Sequence, residues 1–251
     1  MIKVTLIGRG NVSYHLDKAF NSTKEVKVLQ VLGSRANELK KALQNKGIHQ
    51  NLVNSDICIV AVSDNALGVV LQLLKKIKTF TVHTSGSVPM AIFPKNMKSG
   101  VFYPLQTFSK DRNLDYKTIP ICLEAKNSNN LVLLKKMAHS ISDTVHEIDS
   151  SQRKQLHLAA VFVNNFTNQL YQVGHELCEE NKLPFDLLKP LIKETASKTD
   201  SLPPHEAQTG PAKRGDQNTI DAHLKQLKNQ NHKEIYRLLT DSIQKTHGKK
   251  L

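Results

Sequence analysis

Six short stretches of this 251-residue chain hold residues whose types and spacing suit chemistry. The first is an apolar run, 2–7, that ends in Gly8-Arg9-Gly10-Asn11-Val12-Ser13. In such a loop a first glycine permits a tight turn and a second lets the main chain approach a diphosphate. A third allows close packing of helix on strand. Gly8 and Gly10 fill the first two roles, and the small Ser13 stands at the third. Asn11 and Val12 then open a helix whose free N–H groups and positive dipole end suit a pyrophosphate. A glycine pair alone is weak evidence. Between a first strand and a helix it reads as a dinucleotide loop.

Three further loops extend that site. The second apolar run ends in Leu32-Gly33-Ser34-Arg35, without the acid that would bind a ribose 2′-hydroxyl. Ser34 can hydrogen-bond a 2′-phosphate and Arg35 can pair with it, which favours NADP over NAD. Val62-Ser63-Asp64-Asn65 follows the apolar run over 57–62 and is expected near the ribose and pyrophosphate, with Asp64 or Asn65 placed to cap the next helix. His83-Thr84-Ser85-Gly86-Ser87 is a polar turn of small residues. Thr84 falls on the cofactor side. Ser85 and Gly86 suit a substrate carboxylate or carbonyl beside the nicotinamide.

The second half holds two signals. Residues 155–175 contain no Asp, Glu, Lys or Arg. A charge-free helix of that length is expected to be largely buried. At 100° per residue, His157, Val161, Asn164, Asn168, Tyr171 and His175 fall within about 40° of one line. His157 is the candidate proton donor to a substrate carbonyl, and Asn164 would orient that carbonyl. A polar network inside a helical core is the structural alternative. The other signal is 209–224, "TGPAKRGDQNTIDAHL". Its glycines and proline force an irregular loop, Lys213 and Arg214 offer two cations, and Asp216, Asn218 or Thr219 caps the next helix. The cations suit an anionic end of a small substrate.

The elements that must position these groups alternate. Strands are expected over 3–7, 26–32, 57–62 and 80–83, with shorter ones at 101–102 and 119–123. Helices are expected over 11–20, 36–45, 65–77 and 131–142. This rhythm predicts an α/β, doubly wound parallel sheet of the Rossmann type. Past about 150 only helices are expected, over 151–181, 184–199, 219–228 and 232–248. The chain therefore reads as a dinucleotide-binding domain over 1–150 and an all-α domain over 151–251, with the boundary at 148–151.

Composition excludes several classes. The net charge of +13 favours anionic partners. The lysines are scattered in pairs, there is no Trp, and no basic block carries interleaved aromatics, which counts against nucleic acid. The three cysteines, Cys58, Cys122 and Cys178, form no CxxC pair, so no metal is expected and the thiols read as buried and reduced. With no run of 18 apolar residues and no leader segment, a soluble cytoplasmic protein without a membrane span is expected.

Taken in order, GxGN, "HTSGS", "FYPLQTF", "HLAAVFVNNF" and "TGPAKRGDQNTIDAHL" resemble the bacterial Rossmann-like proteins with a C-terminal DUF2520 helical domain, of the 6-phosphogluconate dehydrogenase-like clan. The resemblance covers nearly the whole chain. It implies an NADP- or deazaflavin-dependent oxidoreductase, distantly related to pyrroline-5-carboxylate reductase, and a homodimer built largely through the helical domain. Gly8, Gly10, Asn11, Ser34 and Arg35 match its cofactor positions, and Ser85-Gly86 matches its turn near the nicotinamide. His157 and Asn164 lie on the helix that carries catalytic groups in the clan, although the Lys-x-x-x-Asn pattern is absent. Where members often have His before Pro-Leu, this chain has Tyr103, so the catalytic role of that position is not carried over, although a phenol can still donate a hydrogen bond. The expectation is an NADPH-dependent reductase of a small, carboxylate-bearing carbonyl or imine. The alternative is a non-catalytic dinucleotide-binding sensor or assembly protein.

Overall fold

The computed structural model describes residues 1–33 and 55–247. Ser34, Arg35 and the helix expected over 36–45 lie outside the described residues. The strands are β1 (Ile2–Ile7), β2 (Val26–Leu32), β3 (Ile57–Val60), β4 (Phe80–His83), β5 (Ser99–Pro104), β6 (Ile121–Ala125) and β7 (Val145–Glu147). They form one sheet in the order β2-β1-β3-β4-β5-β6-β7.

The period-2 alternation of side chains assigns the two faces of this sheet. Val4, Leu6, Ile57 and Ile59 pack on one face with Leu16 and Phe20 of α1 (Asn11–Asn21). Leu134 and Met137 of α3 (Ser128–His139) complete that layer. Ile7, Cys58 and Val60 point the other way, onto Leu67, Val70 and Leu71 of α2 (Asp64–Leu73). Covering both faces explains why β3 is apolar throughout, and each such side chain contributes roughly 1.5–3 kcal/mol of burial. All three cysteines are buried and free.

The expected parallel sheet holds from β2 through to β5, but β6 runs antiparallel to β5, pairing Tyr103 with Cys122. The reason is the connection. No long helix crosses between these strands, only a loop with a short 3-10 turn, Tyr116–Thr118. β7, too short to stand out in the sequence, returns parallel to β6 after α3.

The described chain divides into two compact units, Met1–Asn165 and Phe166–Leu251. This division lies later than the change from strands to helices at about 150. The first unit therefore carries α4 (Ser150–Ala160). The single α-helix expected over 151–181 is instead α4, a π-helical segment Val161–Phe166, and α5 (Thr167–Glu180). The i→i+5 bonding of the π segment takes later residues out of phase with the predicted line. His157, Asn164, Tyr171 and His175 remain partly covered, but Asn168 is exposed. Nor is this stretch largely buried: Leu158 is 53% and Val163 75% exposed. Its lack of charge marks an apolar surface open in the single chain, not a core.

The longer helices of the second unit are α5, α6 (Lys189–Ser197), α7 (Gln217–Gln226) and α8 (Gln230–His247), and the segment between α6 and α7 carries two one-turn helices, Pro204–Ala207 and Pro211–Arg214. Its well-buried residues are few, Cys178, Ala212, Ile220, His232 and Thr240, while Leu187, Leu191 and Leu238 are exposed. Among the described residues no helix is long and apolar enough to cross a membrane.

Candidate active site

The strand order reverses at β1, which has β2 on one side and β3 on the other. In open α/β sheets ligands sit at the carboxyl ends of strands at such a point. Ile7 pairs with Val60, so Gly8 leaves β1 beside Ala61. Its φ is +128°, and a Cβ there would collide with the Ala61 carbonyl oxygen. Gly8 is thus fixed by two independent constraints. Gly10 is different: its N-cap conformation is ordinary and extended, and a Cβ there would meet nothing within 4 Å. What its missing side chain provides is open approach to the main chain. The first turn of α1 has neither a side-chain cap nor an acidic residue, so its amides and dipole remain available to an anion. Ser13, at the third glycine position, is buried beneath the loop.

A hollow of about 320 Å³ opens over this loop. Gly10, Asn11 and Val12 line it from β1–α1, Val62 and Ser63 from the end of β3, and Thr84 from the end of β4. Six of the expected cofactor residues therefore meet around one cavity. Ser63 occupies the N-cap of α2 without a side-chain bond. The expected capping by Asp64 or Asn65 is not found. The Asp64 carboxylate instead accepts a 2.5 Å hydrogen bond from Ser87 Oγ, across to the next loop.

That loop is tied down by side chains. His83, fully buried, accepts the Ser85 N–H on Nδ1 at 3.2 Å and stacks on Phe93. Burial first, and the Arg153 cation second, push His83 down to about 3, against the pull of Asp64 and the Pro89 carbonyl. It is a neutral structural group. The Ser85 hydroxyl oxygen accepts the N–H groups of Ser87 and Val88 at 3.2 and 3.0 Å. Its own proton is directed to Ser87 Oγ at 3.4 Å, because the Ser87 hydroxyl donates to Asp64.

Arg153, 1% exposed, closes the turn from α4. It pairs with Glu124 of β6 and donates to the Val88 carbonyl at 2.8 Å. Ser150 Oγ, bonded to the same carboxylate, accepts the Met90 N–H at 2.9 Å. One turn further along α4, His157 reaches the turn itself. Its Nδ1 lies 3.1 Å from the hydroxyl of Tyr103, which is 8% exposed on β5. Gly86 makes room for both. A Cβ there would lie 2.6 Å from His157 Nδ1 and 2.7 Å from Tyr103 Cζ.

Tyr103, His157 and Asn164 face a second cavity, a cleft of about 560 Å³ whose remaining walls come from Leu105–Phe108, Leu156 and the π segment. Asn11 and Val12 border both this cleft and the hollow over the phosphate loop. Asn11 Nδ2 also donates to the Phe108 carbonyl at 2.7 Å, fixing the strip along the cleft. Two expected catalytic residues, His157 and Asn164, thus share a cavity that adjoins the expected cofactor hollow.

Two residues of this site escape sequence reading, Glu124 and Arg153, and so does the contact of Tyr103 with His157. The available signals were a phenol at the end of an apolar strand and a lone Arg one turn before His157. In the second unit, Lys213 donates to the Gln208 carbonyl at 2.7 Å within its own loop, and Arg214 is exposed. Gly210 and Gly215 take φ of +103° and +68°, a backbone region that favours glycine at both turns. Asp216, not Asn218 or Thr219, caps α7. It accepts from the Thr219 hydroxyl and N–H, which hold its carboxyl below the usual range.

A family model, the domain of unknown function DUF2520, matches residues 119–243. A Bacteroides fragilis protein bearing the provisional name NADP oxidoreductase is 38% identical. The alignment covers 97% of this chain and 98% of that one, with a TM-score of 0.85. Thermotoga maritima protein TM1727 is 20% identical over 97% of this chain and 98% of its own, with a TM-score of 0.71. Plasmodium falciparum pyrroline carboxylate reductase, solved with NADP bound, shares the fold at 14% identity and a TM-score of 0.61, over 98% and 97% of the two chains. No curated protein sequence matches.

Proposed function

Because this chain belongs to the family of Rossmann-like proteins with a C-terminal DUF2520 domain, we propose that it is an NADP(H)-dependent oxidoreductase reducing a small carbonyl or imine. One observation carries the reading. The hollow over the glycine loop adjoins the cleft of His157 and Asn164, with Asn11 and Val12 common to both. The residues present fit a dinucleotide. Gly8 makes the turn, Gly10 leaves the main chain open, and the uncapped N-terminus of α1 suits the diphosphate. The name of the Bacteroides relative supports NADP, as does Ser34-Arg35 in the sequence.

When bound, the nicotinamide supplies the hydride. The chain's own residues place and protonate the substrate. Val62, Ser63 and Thr84 wall the hollow. Asn164 orients the reacting oxygen or nitrogen, the Ser85 hydroxyl turns from Ser87 Oγ to assist, and His157 delivers a proton to it. Two copies pair through the helical region, a reading supported by exposed Leu158, Val163, Leu191 and Leu238.

The test is NADPH oxidation by purified protein against keto acids, aldehydes and cyclic imines. Turnover with one class supports the assignment. Failure of NADPH to bind in calorimetry overturns it, and binding without turnover points to the sensor reading. Sedimentation of the full chain as a dimer supports pairing, and a monomer at micromolar concentration removes it.

A further inference from the structure

We infer that Tyr103 is a positioning residue that sets which nitrogen of His157 carries the transferable proton; this deepens the proposed function and rests on its choice of His157 as the acid. The phenol has one proton and a single hydrogen-bond partner among the described residues, His157 Nδ1 at 3.1 Å. Tyr103 is 8% exposed, and an O–H left without an acceptor in such a place is costly. The hydroxyl therefore donates to Nδ1, and the neutral imidazole carries its proton on Nε2. When the ring is charged, the phenol oxygen accepts from Nδ1–H instead, and Nε2–H again remains unengaged. In both charge states the proton free for a substrate is the one on Nε2.

Four other observations favour this role. Burial pushes the Tyr103 hydroxyl up to about 12, so it stays protonated throughout the physiological range. The rings meet edge-on, with centroids 6.1 Å apart at 73°. Gly86 allows no side chain between them, since a Cβ would fall 2.6 Å from Nδ1. Arg153, four residues before His157 on α4, anchors the helix to the Val88 carbonyl and so holds the ring in register. The geometry follows the general scheme in which one ring nitrogen of a histidine is fixed so that the other can act.

The test is the ¹⁵N NMR spectrum of the imidazoles in the full-length protein with saturating NADPH, read at alkaline pH. The expected spectrum shows His157 Nε2 protonated and Nδ1 as an unprotonated, hydrogen-bonded nitrogen. Tyr103→Phe keeps the ring against Gly86 and removes only the hydroxyl. It should move the Nδ1 resonance downfield, toward an unbonded pyridine-type nitrogen, with NADPH affinity changed less than twofold. A wild-type spectrum with the proton on Nδ1 overturns the inference, even if the variant fails to fold. So does an Nδ1 resonance unmoved by Tyr103→Phe. Neither readout needs turnover, so a positive result stands if the chain proves not to be a reductase. Turnover lost in His157→Ala, with no spectral coupling to Tyr103, would retain the enzyme and remove this inference.

Discussion

The loop after β1 and the turn after β4 both leave the carboxyl end of a parallel strand, yet they are built in opposite ways. The first is held by main-chain constraint alone: Gly8 at a positive φ, Gly10 without a side chain, and no cap on α1. Its amides stay free for a ligand. The second is locked by side chains. His83, Ser85, Ser87 and Arg153 all spend their polar groups on it. The difference separates two tasks. An anion is gripped by unspent backbone dipoles. A reacting side chain must instead be held by neighbours that have no freedom of their own.

The largest expected effect breaks the second region's product. His157→Ala should lower turnover by roughly 10²–10⁴-fold while sparing NADPH affinity, as removal of a general acid does. Steady-state kinetics and calorimetry check both halves, and unchanged turnover would remove His157 as the acid. Next is the lock itself. Arg153→Met leaves Glu124 without its cation and should cost about 3–5 kcal/mol in urea unfolding. A loss under about 1 kcal/mol would mean the turn is held by other means.

The first region should respond to backbone change. Gly8→Ala combines a strained φ with a clash on the Ala61 carbonyl, and should cost at least ~1–3 kcal/mol and abolish NADPH binding. Retained binding would show that the loop has an alternative path. His83 supplies the pH test. Its folded value, about 3, lies below the ordinary 6.5, so the unfolded chain binds the extra proton. Stability should therefore fall as pH drops from 6.5 toward 3, by at most about 1.4 kcal/mol per pH unit from this group. His83→Asn should flatten that slope in urea midpoints. The smallest effect is expected in the second unit. Arg214→Ala should change stability by less than about 0.5 kcal/mol, because Arg214 is exposed. An increase in KM would assign Arg214 to the substrate, and an unchanged KM would leave Lys213.

Much of this was legible in the chain. The apolar runs located β1 through β4, since strands covered on both faces admit few polar residues. The spacing of Gly8 and Gly10 placed the phosphate loop because a positive φ and an open main chain are properties of residue type. Gln155 to His175 was misread in one respect: lack of charge signalled apolar contact but could not say whether the chain supplies that contact itself. Tyr103 was noticed as the phenol standing where relatives often have His, but its partner His157 lies 54 residues away, so the contact was not legible.

Residue type and local order thus determined the strands, the glycine turn and the polar groups available for chemistry, all of which depend on neighbours a few residues away. Only the folded chain decided that Gly86, Tyr103 and His157 meet, or that Arg153 pairs with Glu124. These groups come from separate strands, turns and helices. Their contacts follow from sheet register and from the seating of α4, which packing over the whole unit sets.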